Sequence, residues 1–437
     1  MKKSLFAIAA VTAFAGAAQA QSSVTVYGLL DYGYGGSSQT AAGPQATNTG
    51  SNAAGTALGA NAVLKTQTSG LGGNGESTSR IGFRGTEDLG GGTRAFFTVE
   101  AALNTDAASA GIFSTAGTSN RQTFIGLAQK GIGAASIGIQ YTPVHEAASV
   151  TDAGGLNNQN GNVIYDRAGG WGASTGQTLG GTGNIGQAAS GMATNTSYTI
   201  RSSNMLMLKS ERVAGFMGKL MLVAGGKDVG GSSVVSAANS SNLTNDTTGY
   251  GGSIDYTWKK LFVTASYQQF VSNTTQSGVS RTYAPGYNGA GITPGTNAQD
   301  MQQYYAATYD FGILKAYAQY VNRKVQNVNN DANYIQRSAQ QIGVRAPVTS
   351  KVTAWASAGM GKMNNTGAGA VTANINAWQL GSDYNLSKRT NLYAIYGQTS
   401  TSNAATGSYG GLTTPASNSQ PTSYNASSYA VGVRHTF

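Results

Sequence analysis

Chemistry in this chain has few residues to work with. Cysteine is absent, and His145 and His435 are the only imidazoles. That excludes disulfide frameworks, thiolate nucleophiles and multi-histidine metal centres. No metal and no cofactor is expected. His145 has no G-x-S-x-G nucleophile elbow to serve, which makes a hydrolase a poor reading. His435 lies on an alternating apolar face, where a packing role fits. Two G-x-G-x-x-G spacings occur, Gly70–Gly75 and Gly181–Gly186. Neither follows a strand and opens a helix, so neither reads as a dinucleotide site. With 62 glycines in 437 residues, such spacings arise by chance. What is left is charge: 27 Lys and Arg against 17 Asp and Glu. The cations are dispersed, and the pairs Lys259-Lys260 and Lys388-Arg389 sit in short turns. That is no nucleic-acid footprint.

Met1–Ala20 has two lysines, an apolar run from Leu5 to Ala15 and the small-x-small site Ala18-Gln19-Ala20. This is a secretory leader, and the mature chain is expected to begin at Gln21. Removing Lys2 and Lys3 takes the formal charge from +10 to +8. Past Ala20 no apolar run approaches the ~20 residues of a membrane helix. Either the mature chain is soluble in the periplasm or outside, or it spans a membrane as a β-barrel, because only helices and closed barrels satisfy every backbone group in hydrocarbon.

The hydropathy pattern is that of a barrel. Val431, Val433, His435 and Phe437 alternate with Gly432, Arg434 and Thr436. Val24, Val26, Gly28, Leu30 and Tyr32 alternate with Thr25, Tyr27, Leu29 and Asp31. Arg80, Gly82 and Arg84 oppose Ile81 and Phe83, and Ala95, Phe97 and Val99 oppose Arg94, Thr98 and Glu100, with Phe96 a blemish on the polar face. The period is two. The polar face lacks the Lys and Glu of a soluble sandwich, so apolar residues are read as facing lipid and polar ones the lumen. Short turns near Glu87–Gly92, Lys130–Gly133, Gly215–Gly218, Lys259–Lys260, Phe311–Gly312, Pro347–Ser350 and Leu386–Arg389 alternate with longer Gly/Ser/Asn/Thr-rich stretches. The longer ones are read at about 36–75, 105–118, 143–200, 229–247, 273–300, 326–333, 364–372 and 401–424. The expectation is an all-β, transmembrane antiparallel β-barrel of about 16 strands, one domain over 21–437. Parity puts Arg80 and Arg84 on the lumen face.

Several runs resemble the general Gram-negative outer-membrane porins, particularly the betaproteobacterial type. They are Ser22–Gly28 (SSVTVYG) with Asp31, Ser79–Glu100 (SRIGFRGTEDLGGGTRAFFTVE), Arg121–Leu127 (RQTFIGL), Gly138–Pro143 (GIQYTP), Tyr309–Tyr320, Leu380–Tyr396 and the closing VGVRHTF with its terminal Phe437. One departure is Arg201–Phe216, which has Leu208 where the family pattern expects Tyr. The resemblance implies a barrel that assembles as a homotrimer, with a long third loop folded into each pore. It implies a basic wall at the constriction, to which Arg121 and Arg201 correspond by motif position, beside Arg80 and Arg84. Lys209 is a lesser candidate, because the parity of its strand is ambiguous. The third loop is expected to set acids opposite: Glu146, Asp152 and Asp166. Phe437 is expected to be the assembly signal read by the barrel assembly machinery. The other implied partners are outer-membrane lipid, lipopolysaccharide, small hydrophilic solutes and inorganic anions. Gly28 and Gly432 are read as small lipid-facing residues permitting subunit contact. The expected function is a general diffusion porin of the outer membrane, with no catalysis and a preference for anions. The alternative is a substrate-selective channel whose binding site the third loop forms.

Overall fold

A computed structural model of the chain describes residues 23–42, 63–103, 120–166, 192–229, 243–276, 296–327, 330–365, 372–404 and 422–437. The leader Met1–Ala20 and the Gly181–Gly186 spacing lie outside the described residues. Strands dominate: β1 Ser23–Ala42, β2 Val63–Gly73, β3 Arg80–Gly90, β4 Thr93–Ala102, β5 Asn120–Gln129, β6 Gly133–Tyr141, β7 Met192–Thr194, β8 Thr199–Ser210 and β9 Phe216–Val229. They continue as β10 Leu243–Trp258, β11 Leu261–Gln276, β12 Thr296–Asp310, β13 Lys315–Asn327, β14 Asn330–Pro347, β15 Val352–Asn365, β16 Ala373–Asn385, β17 Thr390–Ala404 and β18 Thr422–Thr436. Among the described residues one helix, α1, spans Pro143–Thr151.

Each strand pairs antiparallel with its neighbours, and β1 pairs with β18, which closes the sheet. Reciprocal bonds between the backbones of Gly28 and Phe437 complete the seam at 3.1 Å each. β2 and β3 both pair with β1 and form one interrupted stave. β7 is a short return whose pairing, among the described residues, is with β8. Counted as staves, the eighteen strands among the described residues therefore make a 16-stranded barrel. The stretch expected as a long loop at 326–333 is otherwise: β13 ends at Asn327 and β14 begins at Asn330. The strands also run further toward the long loops than alternation indicated, β1 to Ala42 and β11 to Gln276. Barrel pairing satisfies their backbones whatever their side chains.

The outward face carries exposed Val24, Val26, Leu30, Leu220, Leu222, Ile254 and Val431. Aromatic pairs gather at the turn end, Phe216–Tyr256 and Tyr309–Phe311, and again well up the strands, Tyr305–Tyr320 and Trp378–Tyr396. This is the apolar band with amphipathic rings that a bilayer demands.

Two expectations about small residues are corrected. Gly28 faces outward, but the Phe437 ring covers it: a Cβ there would lie 2.5 Å from Phe437 Cζ and 2.6 Å from the Arg80 carbonyl oxygen. Gly432 faces the lumen, under the Tyr393 hydroxyl. Neither opens a lipid-facing cleft for another subunit.

The inner wall is not uniformly polar. Met205, Met207, Met221, Val223 and Phe270 form one buried apolar patch on it. Tyr304, Val321, Val325, Ala339, Met363 and Ile375 form another, with Val144, Ala147, Ala148, Val163 and Ile164 of the third loop packed into the same cluster. The loop thus has a hydrophobic core of its own inside the barrel. This is why parity is unreadable near Met205–Lys209: apolar side chains occupy both the outward and the inward face of that strand.

Candidate pore constriction

The third loop leaves β6 at Thr142, whose side chain caps α1 by accepting from His145 N. α1 lies along β8 to β12. Beyond it the chain crosses to the far wall. There Asn160 N donates to Ser428 Oγ at 2.9 Å, Gly161 N to Thr399 Oγ1 at 3.0 Å and Val163 N to Gln341 Oε1 at 3.1 Å. Gly161 has φ +99°, and Gly397 leaves no room for a Cβ because the Asn160 carbonyl lies against it. The loop backbone touches the wall there, and only glycine allows it.

Three arginines from three different strands meet where the loop narrows the lumen. Arg121 Nε donates to Glu100 Oε1 at 2.6 Å, and Arg80 Nη1 lies 3.9 Å from the same oxygen. Arg121 Nη2 donates to the Tyr141 hydroxyl at 2.7 Å. Arg201 pairs in register with Tyr141, its guanidinium 5.9 Å from that ring's centroid. Glu100 is buried and also accepts from the Tyr27 hydroxyl at 3.1 Å. A cavity of about 220 Å³ opens here, lined by Arg80, Arg121, Tyr141, His145, Glu146 and Tyr165, with Ser77, Thr78 and Asn158 among the remaining lining groups. Arg84 is apart from it. It shares the lumen face but is exposed, four residues nearer the turn end, with its guanidinium 5.3 Å from the Tyr27 ring centroid.

The third-loop acids part company. Glu146 lines the cavity and is bound by two cations, Lys209 Nζ at 2.9 Å and Lys219 Nζ at 3.1 Å. Lys219 in turn reaches Asp255 at 3.0 Å. Asp152 is buried at the end of α1, where it accepts from Leu156 N, Asn162 Nδ2 and Gln341 Nε2. Burial pushes its carboxyl above the usual range, against those donors. Asp166 lies 3.5 Å from Arg337, which is fully buried and also donates to the Val163 carbonyl and Ser197 Oγ. Asp152 and Asp166 thus bind the loop to the wall, and neither is among the groups lining the cavity.

His145 stacks on Tyr141 with centroids 4.5 Å apart, and its Nδ1 lies 3.4 Å from the Tyr198 hydroxyl. Burial first, then the charges of Arg201, Arg121 and Arg80, lower its pKa to about 3. It is a neutral packing group. His435 faces outward, its Nδ1 2.9 Å from Thr390 Oγ1. The Gly70–Gly75 spacing falls across the end of β2 and approaches no helix. Among the described residues no group of three His, Cys, Asp or Glu is placed to hold a metal.

Glu100 and Tyr141 were not singled out from the sequence, although parity puts Glu100 on the lumen face with Arg94 and Thr98. Lys219 carried no signal, because its strand reads as continuously apolar.

The family model described as Gram-negative porin matches residues 7–404. An outer membrane porin protein of Bordetella pertussis is 28% identical over 408 residues, covering 90% of this chain and 93% of that one. Outer membrane porin protein 32 of Delftia acidovorans is 41% identical over 114 residues, 26% of each chain. Among solved structures, an anion-selective porin from Comamonas acidovorans has 20% identity and a TM-score of 0.61, covering 95% of this chain and all of that one. OmpT of Vibrio cholerae, solved in a trimer form, has 14% identity and a TM-score of 0.53, covering 95% and 99%. The same barrel and a family match over residues 7–404 leave one conclusion: this chain belongs to the Gram-negative porins, the channel-forming β-barrels of the outer membrane.

Proposed function

We propose that this outer-membrane diffusion channel passes small anions in preference to cations, and that Arg80, Arg121 and Arg201 are the groups responsible. The observation that carries the reading is the charge balance at the narrowing. Arg121 and Arg80 converge there on one buried carboxylate, Glu100, and Arg201 stands beside them with its guanidinium 5.9 Å from the Tyr141 ring centroid. The acid on the facing loop, Glu146, is already bound by Lys209 and Lys219. Charge elsewhere counts for little, because exposed groups beyond a Debye length of about 8–10 Å are screened. Inside a narrow passage with low-dielectric walls the field is focused. Arginine stays protonated at any working pH, so the bias persists.

The finer assignments rest on the family pattern. The chain is cleaved after Ala20 and carries out no catalysis. It is inserted by the barrel assembly machinery through its terminal Phe437 strand, and it works as a homotrimer among outer-membrane lipid and lipopolysaccharide. The deciding experiment is the zero-current potential of the reconstituted protein across a KCl gradient. A potential of the anion-selective sign supports the assignment, and one of the cation-selective sign overturns it. A single species of monomer mass in mild detergent, without heating, overturns the trimer.

A further inference from the structure

The stave made of β2 and β3 is interrupted at the depth of the constriction. Its partner β1 pairs Tyr32 with Gly73 and Leu29 with Arg80. Two residues of β1, Leu30 and Asp31, therefore stand opposite six, Asn74–Ser79. The four surplus residues turn into the lumen. An ordinary bulge adds one residue. This one is larger, and it is fastened on every side.

Asp31 holds it from the wall. Its Oδ2 accepts from Glu76 N at 2.8 Å and from Ser77 N at 2.5 Å, while its backbone N donates to Ser79 Oγ at 3.0 Å. Asn74 Oδ1 closes the turn by accepting from Ser79 N at 2.6 Å. Glu76 reaches across the seam to Arg434 at 2.9 Å and accepts from Asn391 Nδ2 at 3.2 Å. The third loop meets the insert from the other side. Asn158 Nδ2 donates to the Asn74 carbonyl at 2.9 Å and Gln159 Nε2 to the Gly75 carbonyl at 2.8 Å. Two consequences bear on the pore. Ser77 and Thr78 line the same cavity as Arg80 and Arg121. The Thr78 carbonyl accepts from Arg80 Nε at 2.9 Å.

We infer that the inward-turned segment Asn74–Ser79 is a second constriction element, one that narrows the passage together with the third loop and positions the Arg80 guanidinium through the Thr78 carbonyl. Asp31 is its positioning residue. The narrowing does not depend on which ions the pore prefers, so it stands or falls separately from the anion assignment.

The test is single-channel conductance of folded barrels. Replacing Asn74–Ser79 by a Ser-Val dipeptide restores one-to-one pairing, with Ser opposite Asp31 and Val opposite Leu30. Conductance is expected to rise by a factor of about 1.5 to 2, as for widening a segment that limits flow, and anion preference to fall as Arg80 loses its acceptor. Unchanged conductance in the folded variant overturns the proposal. Should that variant not fold, a milder one decides. The chain has no native cysteine, so Thr78→Cys offers a unique thiol. Labelling it with a bulky methanethiosulfonate reagent is expected to reduce conductance by roughly half or more. The same label on Ser387→Cys, in the β16–β17 turn, is expected to change nothing. Complete labelling at Thr78→Cys without loss of current overturns the proposal. A cation-selective wild type would remove the anion assignment and leave both conductance comparisons valid.

Discussion

Nε of Arg121 lies 2.6 Å from Oε1 of Glu100, and 21 residues of sequence separate the two. Through this contact a buried carboxylate offsets part of the positive wall while holding Arg121 against Tyr141. Glu100→Gln removes the negative charge and leaves a group of the same shape. The expected outcome is a stronger anion preference, read as a larger zero-current potential of the same sign. A weaker preference would mean that Glu100 acts mainly by positioning.

The basic wall has an internal control. Arg80→Ala, Arg121→Ala and Arg201→Ala are each expected to lower the anion-to-cation permeability ratio by roughly twofold or more. Arg84 stands beside Tyr27, away from the cavity, and Arg84→Ala should have a smaller effect. Arg389, in a short turn, should have none. Equal effects from Arg84 and Arg121 would show that overall lumen charge, and not its placement, sets selectivity.

The third loop is expected to depend on Arg337. This side chain is buried and bonds Val163, Ser197 and Asp166. Arg337→Ala takes away one partner of a buried ion pair, a change that costs about 3–5 kcal/mol in such sites. The expected readout is a lower unfolding temperature in detergent, with noisier single-channel current as the loop loosens. A quiet channel of wild-type stability would contradict the role.

The acid dependence follows from His145. Its folded-state pKa of about 3 lies below the ordinary 6.5. The unfolded chain therefore binds a proton that the folded one refuses. The stability this neutral imidazole contributes is complete above about pH 6.5 and is lost as pH falls from there toward 3. His145→Gln is expected to flatten that part of the stability profile. Selectivity should not follow the imidazole between pH 8 and 5. A wild-type zero-current potential that titrates near pH 6, and stops doing so in His145→Gln, would refute the neutral assignment.

Phe437 and Gly28 form one contact across the seam, ring over glycine. Gly28→Leu and Phe437→Asp should both reduce the folded protein recovered from the outer membrane, while the barrels that do fold should conduct normally. Normal amounts of both variants would remove the assembly role.

The order of side chains along the chain determined a great deal. Strand residues alternate faces, so the period of two identified a barrel, and parity alone put Arg80, Arg84, Glu100 and Arg434 on the lumen side. The absence of Cys and the scarcity of His excluded whole chemistries without any geometry. Only the tertiary structure decided which charges stay available to a passing ion. Asp152, Asp166 and Glu146 look alike in sequence, yet two of them hold the loop to the wall and the third is bound by lysines 63 and 73 residues away. Parity failed at Met205–Lys209, where apolar residues lie on both faces of the strand. The inward turn at Asn74–Ser79 was invisible for a related reason. It is set by the register of β1 against β2 and β3 and by donors from the third loop about 84 residues on. Local pattern specifies which face a residue takes. What that residue meets there depends on segments distant in sequence, which only the closed barrel brings together.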